Sequence, residues 1–261
     1  MIAERAATGT LRIAASLRDG RTVVDTLRQD GLARCSRPLA DAAWPGAARL
    51  VVSQLGPGFV RGDRFETYGE LGAGAVLTVA AQSAARYFGG GPVSHARASW
   101  IVGPGATLVL LGEPAIAYAG ASHRSSIDVT LAPGATFAAI DLVAPHEPFA
   151  RVVTSLRVFR GTALALVDRL HLTPARLGRD TFGTAFSVRS GLTPGRSEAL
   201  LAAMDAFAAR FADAGARVRL GVGGPATGAV LVRAKGARSQ DVREALTGAL
   251  QTMIAEHRRA T

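Results

Sequence analysis

V-G-P-G-A-T-L, from Val102 to Leu108, returns with small changes at Trp44 to Leu50 (W-P-G-A-A-R-L), Leu71 to Leu77 (L-G-A-G-A-V-L) and Leu131 to Phe137 (L-A-P-G-A-T-F). Aligned on the Gly-Ala step, Gly46, Gly74, Gly105 and Gly134 stand 28, 31 and 29 residues apart, and Gly161 to Leu166 (G-T-A-L-A-L) is a weaker fifth copy 27 residues further on. Each copy carries an apolar residue, a Pro or Gly turn and then a new β-type run. Proline presets the first turn dihedral, and glycine accepts positive φ without a Cβ clash. Chance turns in a chain rich in alanine and glycine would not keep this spacing. A period of about thirty residues predicts units of two or three strands, each stacked on its neighbour. The expected fold class is therefore mainly β, a stacked-strand, β-helix-like domain.

Around that repeat, 261 residues with 48% hydrophobic content and a mean hydropathy of +0.21 suit one packed core with apolar surface left for a partner. The opening M-I-A-E-R-A-A-T-G-T has no continuous apolar segment, and no apolar run approaches the roughly 18 residues that span a bilayer. The expected location is cytoplasmic, with no membrane association. Cys35 is the single cysteine, so neither a disulfide framework nor a Cys-cluster metal site can form. The formal charge of +10 raises the question of nucleic acid. Lys235 is the only lysine, however, and the arginines are scattered without interleaved aromatics. A generally basic surface suits an acidic protein partner better.

Along the chain, Leu11 to Leu17 and Arg21 to Leu27 alternate about a hairpin signal at Asp19-Gly20, and Arg49 to Leu55 and Phe65 to Leu71 read as further strands. A long run continues from Val76 to Phe88. Strands are expected at Val93 to Val102, Thr107 to Leu111, Ser125 to Leu131, Thr136 to Val143, Arg151 to Phe159 and Leu164 to Leu172, with Thr173 to Gly183 an exposed connection. The period then changes. Ser197 is expected to cap a helix with Leu200, Leu201, Met204, Phe207, Ala208 and Phe211 on one face, ended by Gly215. Val218 to Val222 and Ala229 to Val232 form a strand pair, and a second helix starts near Ser239 with Val242, Leu246, Leu250, Met253 and Ile254 on one side. The expected organisation is a β-rich region over 1–192 and a helix-hairpin-helix region over 193–261, packed together as one continuous domain.

Catalytic signatures are missing. There is no G-x-x-x-x-G-K-[ST], no G-x-S-x-G and no H-E-x-x-H, and G-V-G-G-P-A-T-G at Gly221 to Gly228 lacks the setting of a dinucleotide loop. The chain is expected not to be an enzyme. Cys35 reads as a small buried hydrophobe. His95, His123 and His146 lie 21, 18 and 12 residues after their repeat glycines. These unequal offsets argue against a stacked ligand ladder and leave only transient metal contact. A polar minority remains in Gly- and Ala-rich surroundings: Asp63 after Gly62, Gln82, Arg86, Glu113 and Asp141. Asp63 as a turn cap and Asp141 as half of an ion pair stand beside a functional reading of both.

These same stretches resemble the urease accessory protein D family (UreD, also called UreH). Arg21 to Pro38 (R-T-V-V-D-T-L-R-Q-D-G-L-A-R-C-S-R-P) is similar to the family's opening, and P-G-F-V-R-G-D at Pro57 to Asp63 resembles its G-G-x-V-x-G-D with turn glycines Gly58 and Gly62. Gly74 to Phe88 matches its G-A-x(4)-T-T-Q-A-x-T-K-x-Y, and L-A-P-G-A, D-R-L and F-G-T follow in order. Departures fall at Pro57, Ala80, Ala81, Arg86, Phe88 and Gly112. The resemblance implies a β-rich stack carrying two helices and a non-catalytic metallochaperone scaffold. Such a scaffold binds apo-urease and accessory proteins F and G and assists nickel delivery, with nickel in transit and no tightly bound cofactor. It also allows a dimer of that complex. Asp63, Gln82, Arg86, Glu113 and Asp141 then become candidates for a polar route. A scaffold serving another metalloenzyme and a basic nucleic-acid-binding β module are the competing readings.

Overall fold

Every repeated glycine takes the left-handed conformation that its turn requires, with φ of +80° at Gly46, +68° at Gly74, +65° at Gly105, +72° at Gly134 and +58° at Gly161. The computed structural model describes residues 6–211, 216–226 and 228–259. The turns stack on one another, since Gly74 N–H donates to Pro104 O at 2.9 Å and Gly105 N–H to Pro133 O at 3.1 Å.

In chain order, β1 (Thr8–Arg18) and β2 (Arg21–Gly31) form a hairpin whose turn places Asp19 and Gly20 at φ of +49° and +73°, as a two-residue primed turn demands. After the short β3 (Ala33–Cys35) and β4 (Leu39–Ala40), the coils begin. The first holds β5 (Ala48–Gln54) and β6 (Arg64–Leu71). The second holds β7 (Val76–Ala81), β8 (Arg86–Tyr87) and β9 (Ser94–Val102). The third holds β10 (Thr107–Leu111), β11 (Ala115–Ala117) and β12 (Ser122–Leu131), and the fourth β13 (Thr136–Pro145) and β14 (Arg151–Arg160). There follow β15 (Ala163–Leu172), α1 (Pro174–Leu177), β16 (Thr181–Arg189), α2 (Pro194–Ala209), β17 (Val218–Ala226), β18 (Ala229–Gly236) and α3 (Ser239–Arg259).

The result is a β-solenoid of about four turns. One sheet has the order β15-β14-β12-β9-β6-β1-β2, and the other runs β17-β18-β16-β13-β10-β7-β5-β3. Within the coils all pairing is parallel: Val76 pairs with Thr107 and Thr107 with Thr136, displacements of 31 and 29 residues that reproduce the glycine spacing. Antiparallel strands finish both ends, namely β2 and β15 on the first sheet and β3, β16, β18 and β17 on the second.

Between the sheets the coils stack like on like. Ala48, Leu77, Leu108, Phe137, Val188 and Ala229 form one buried row across six strands. A fully buried leucine or phenylalanine contributes about 1.5–3 kcal/mol, so such rows hold the register of the stack. The outer face of the second sheet carries a separate core. Ala138, Ile140, Val230 and Val232 pack there under Leu200 and Met204 of α2 and Leu246, Leu250 and Met253 of α3. Burial on both faces gives β13 its almost unbroken apolar run. Arg258 at the end of α3 lies over the Trp44 ring, 3.4 Å from its centroid.

Three details differ from the sequence reading. β16 went unread because Thr181–Arg189 is buried almost throughout and shows no alternation. The run from Val76 to Phe88 breaks at Gln82–Ala85, where the chain turns a corner between the second sheet and β8. Ser197 is not the cap: Thr193 is, with Pro194 preset for the first helical position, and Ser197 Oγ accepts a hydrogen bond from Gly228 N–H at 2.8 Å. The end placed at Gly215 lies outside the described residues. Among the described residues, no helix is long and apolar enough to cross a membrane.

Candidate functional site

The polar candidates do not gather. Asp63 is 3% exposed, and its carboxylate accepts hydrogen bonds from Ala7 N–H at 2.8 Å and Val60 N–H at 3.0 Å. It ties the start of β1 to the glycine loop before β6, where Gly62 and Gly58 have φ of +82° and +140°. A Cβ on Gly58 would stand 2.4 Å from Arg86 O, so only glycine fits. Gln82 and Arg86 are exposed at the corner after β7. Glu113 pairs with Arg243 of α3 at 2.5 Å, on the side of the second sheet facing away from the first.

The histidines are equally separate. His95 is half-buried, and burial followed by the Arg124 and Arg64 charges lowers its pKa. His123 is buried, with Nδ1 2.8 Å from Ser94 Oγ and its ring stacked on Tyr87 at 3.8 Å between centroids. Burial pushes it down to about 3, so it stays neutral. His146 is exposed and meets Tyr118 edge-on, and Tyr118 stacks on Phe88. The solenoid does build side-chain ladders, but from mixed aromatics rather than from histidines. No group of three His, Cys, Asp or Glu able to hold a metal ion occurs among the described residues. Cys35 packs against the core, where burial raises its thiol to about 11 and leaves it protonated.

Asp141 is the exception. It points between the sheets from β13 and lines a cavity of about 210 Å³ together with Thr154, Asp168, Ser125, Tyr87 and Phe186. The cavity follows from the stacking itself: the inward column Phe65, Ala96, Ser125, Thr154 shrinks after its first member and turns polar from its third. On the opposite sheet Asp141, Thr184 and Arg233 lie in register on neighbouring strands. Burial raises the Asp141 carboxyl to about 6; the Thr154 hydroxyl bonded to it opposes that rise, and the Asp168 charge adds to it. Burial, followed by the Asp141 charge, likewise raises the Tyr87 hydroxyl. Asp168, 7% exposed, is met by Arg233 Nη2 at 2.5 Å.

This is a mostly apolar cavity with a polar patch, where Asp141, Asp168, Thr154 and Ser125 converge and Arg97 also contributes to the lining. Carboxylate and hydroxyl oxygens in such a place suit a hard or borderline cation, held by few ligands and so not held tightly. Sequence reasoning found Asp141 but missed Asp168, Thr154, Thr184 and Arg233. One signal was present: in β15 Leu166, Asp168, Leu170 and Leu172 share the inward phase.

Comparison with known proteins adds two findings. The family model described as UreD urease accessory protein matches residues 7–261. Among curated proteins, the chain is 30% identical over 174 residues to the urease accessory protein UreD of Sorangium cellulosum (strain So ce56), covering 61% of this chain and 54% of that one. To the UreD of Chelativorans sp. (strain BNC1) it is 33% identical over 136 residues, 52% of this chain and 48% of that one. To the UreD of Actinomyces naeslundii it is 32% identical over 188 residues, covering 67% and 68%. The chain thus spans about half the length of the first two relatives.

Proposed function

Because the chain belongs to the UreD urease accessory protein family, we propose that it serves urease maturation as a scaffold, binding apo-urease and accessory proteins F and G in the cytoplasm while nickel passes to the urease active site. The observation that carries this reading is the chamber in which two inward carboxyls, Asp141 and Asp168, meet the hydroxyls of Thr154 and Ser125. Nickel is cargo here, so the chamber must accept the ion and let it go. A carboxyl with a pKa of about 6 is charged in roughly nine molecules of ten at pH 7, which gives an arriving cation an oxygen ligand and leaves a modest barrier to its departure. Hydroxyls at Thr154 and Ser125 replace further water without adding charge. Asp63 belongs to the framework and Glu113 to the α3 contact, so neither is assigned to the ion.

The test is co-expression with the urease subunits and the accessory partners in nickel medium. Asp141→Ala is expected to co-purify with its partners at the parent level while urease activation falls several-fold at equal soluble protein. Full activation by this variant would remove the chamber from the route. Failure of the parent to co-purify with any partner would remove the scaffold role. The same experiment with an unrelated metalloenzyme tests the reading in which another enzyme is served.

A further inference from the structure

Arg233 reaches the chamber from outside the solenoid proper. It stands on β18, two strands beyond β13, yet its side chain crosses to Asp168 on β15 of the opposite sheet, with Nη2 2.5 Å from Oδ1. The two ends of the pair differ in environment: the Asp168 side chain is 8% exposed and that of Arg233 is 41% exposed. The carboxylate is fixed inside, whereas the guanidinium has water on one side. Arg233 Nε is buried and has no hydrogen-bond partner among the described residues, and the same holds for Thr184 Oγ1, which lies in register between Arg233 and Asp141. A guanidinium built only to be structural would be expected to use its fork on the carboxylate. Here a single N–H is engaged and the neighbouring hydroxyl is left without a partner.

We infer that Arg233 is a displaceable internal cation: it neutralises Asp168 while the chamber is empty, and a divalent ion entering beside Asp141 competes for the same carboxylate. This rests on the reading of the chamber given above and names what regulates it. Two carboxylates facing an ion would bind it far better than one, and a carrier that binds too well does not release. By claiming Asp168, Arg233 keeps the resting affinity low. Its solvent-facing side lets it swing away when an ion arrives and return as the ion leaves. Arg233 is therefore a positioning residue, acting on the ion through Asp168.

The experiment is Ni²⁺ titration by calorimetry on the purified full chain, with thermal melts on every variant. Arg233→Gln is expected to bind Ni²⁺ at least tenfold more tightly than the parent. The double change Arg233→Gln with Asp168→Asn should lose that gain, and Arg233→Lys should stay near the parent. A purely structural ion pair predicts lower stability and equal or weaker metal binding, so the sign of the change decides. If Arg233→Gln does not fold, Arg233→Met, which keeps the length of the side chain without its charge, takes its place: tighter Ni²⁺ binding supports the competition, and equal or weaker binding overturns it. If Asp141→Asn weakens Ni²⁺ binding but Arg233→Gln fails to tighten it, the competition idea is overturned and the chamber stands. If Asp141→Asn changes nothing in either background, the chamber reading fails and this inference fails with it.

Discussion

Three side chains inside the fold set opposite demands on pH. The Asp141 carboxyl, raised to about 6 from an ordinary 3.8, keeps its proton in the native state between roughly pH 4 and 6, where the unfolded chain has already lost it. Its contribution is therefore complete below pH 4 and is lost as pH rises through 6, on the order of 1–3 kcal/mol. Asp141→Asn should flatten that slope and melt above the parent at pH 7, as read by thermal denaturation across pH. His123 and His257 work in reverse. Burial lowers them to about 3 and about 4 from 6.5, so their contribution is complete above pH 6.5 and is lost as pH falls through those values. His123→Phe keeps a ring beside Tyr87 and cannot take a proton. It should resist acid better than the parent, while costing about 1 kcal/mol at neutral pH for the Ser94 hydrogen bond. Asp63→Ala has a different signature. It strips two backbone N–H groups of their acceptor and should lower stability by about 1–3 kcal/mol. Urease activation should then fall only in step with folded protein, and a loss at full stability would reassign Asp63 to the ion.

The same distinction between local and remote cause operates among the elements. Gly105 has open space where a Cβ would sit, so Gly105→Ala should cost only the left-handed backbone term, about 1 kcal/mol. Gly69 lies under Trp100, whose ring atoms would stand 2.0 Å from a new Cβ. Gly69→Ala should cost about 2–3 kcal/mol, and melting curves of the two variants give the ranking. The repeat turns were legible in the sequence because positive φ is a demand made by the residue itself. Strand limits followed nearly as well, since Thr107–Leu111 and Thr136–Pro145 start where the turns end. β16 was not legible: Ser, Thr, Ala and Gly buried against both β13 and α3 leave no two-residue period to count. The chamber was only half legible. Asp141 announced itself as a charge in an apolar strand, whereas Asp168 gave only the weaker signal of sharing the phase of Leu166, Leu170 and Leu172 in a strand that also carries Arg169 and His171. The Arg233 contact spans 65 residues and belongs to topology, which no local pattern encodes.

For the molecule as a whole, the two sheets are treated unequally. Helices cover the second, while the first presents its outer face, with Ile101, Leu164 and Val167 more than half exposed, and ends in the edge strand β15, whose pairing with β14 is interrupted once, between Val158 and Phe159. The regular stretch of that edge, from Leu166 to Leu172, offers unpaired backbone groups and apolar side chains on which other chains can pair. Val167→Lys should reduce self-association of the isolated chain in light scattering and leave its melting temperature unchanged. If the aggregate persists at full strength, the edge is not its cause. The cover on the second sheet has a consequence in time. Ile140 is synthesised well before Leu246, Leu250 and Met253, which shield that face. At ribosomal rates of 5–20 residues per second, the face waits roughly 5 to 23 s for its lid. During that interval the nascent chain offers a bare apolar sheet to every neighbour, so a cell that makes this protein faster than its chaperones can attend to it should lose yield before any question of partner or metal arises.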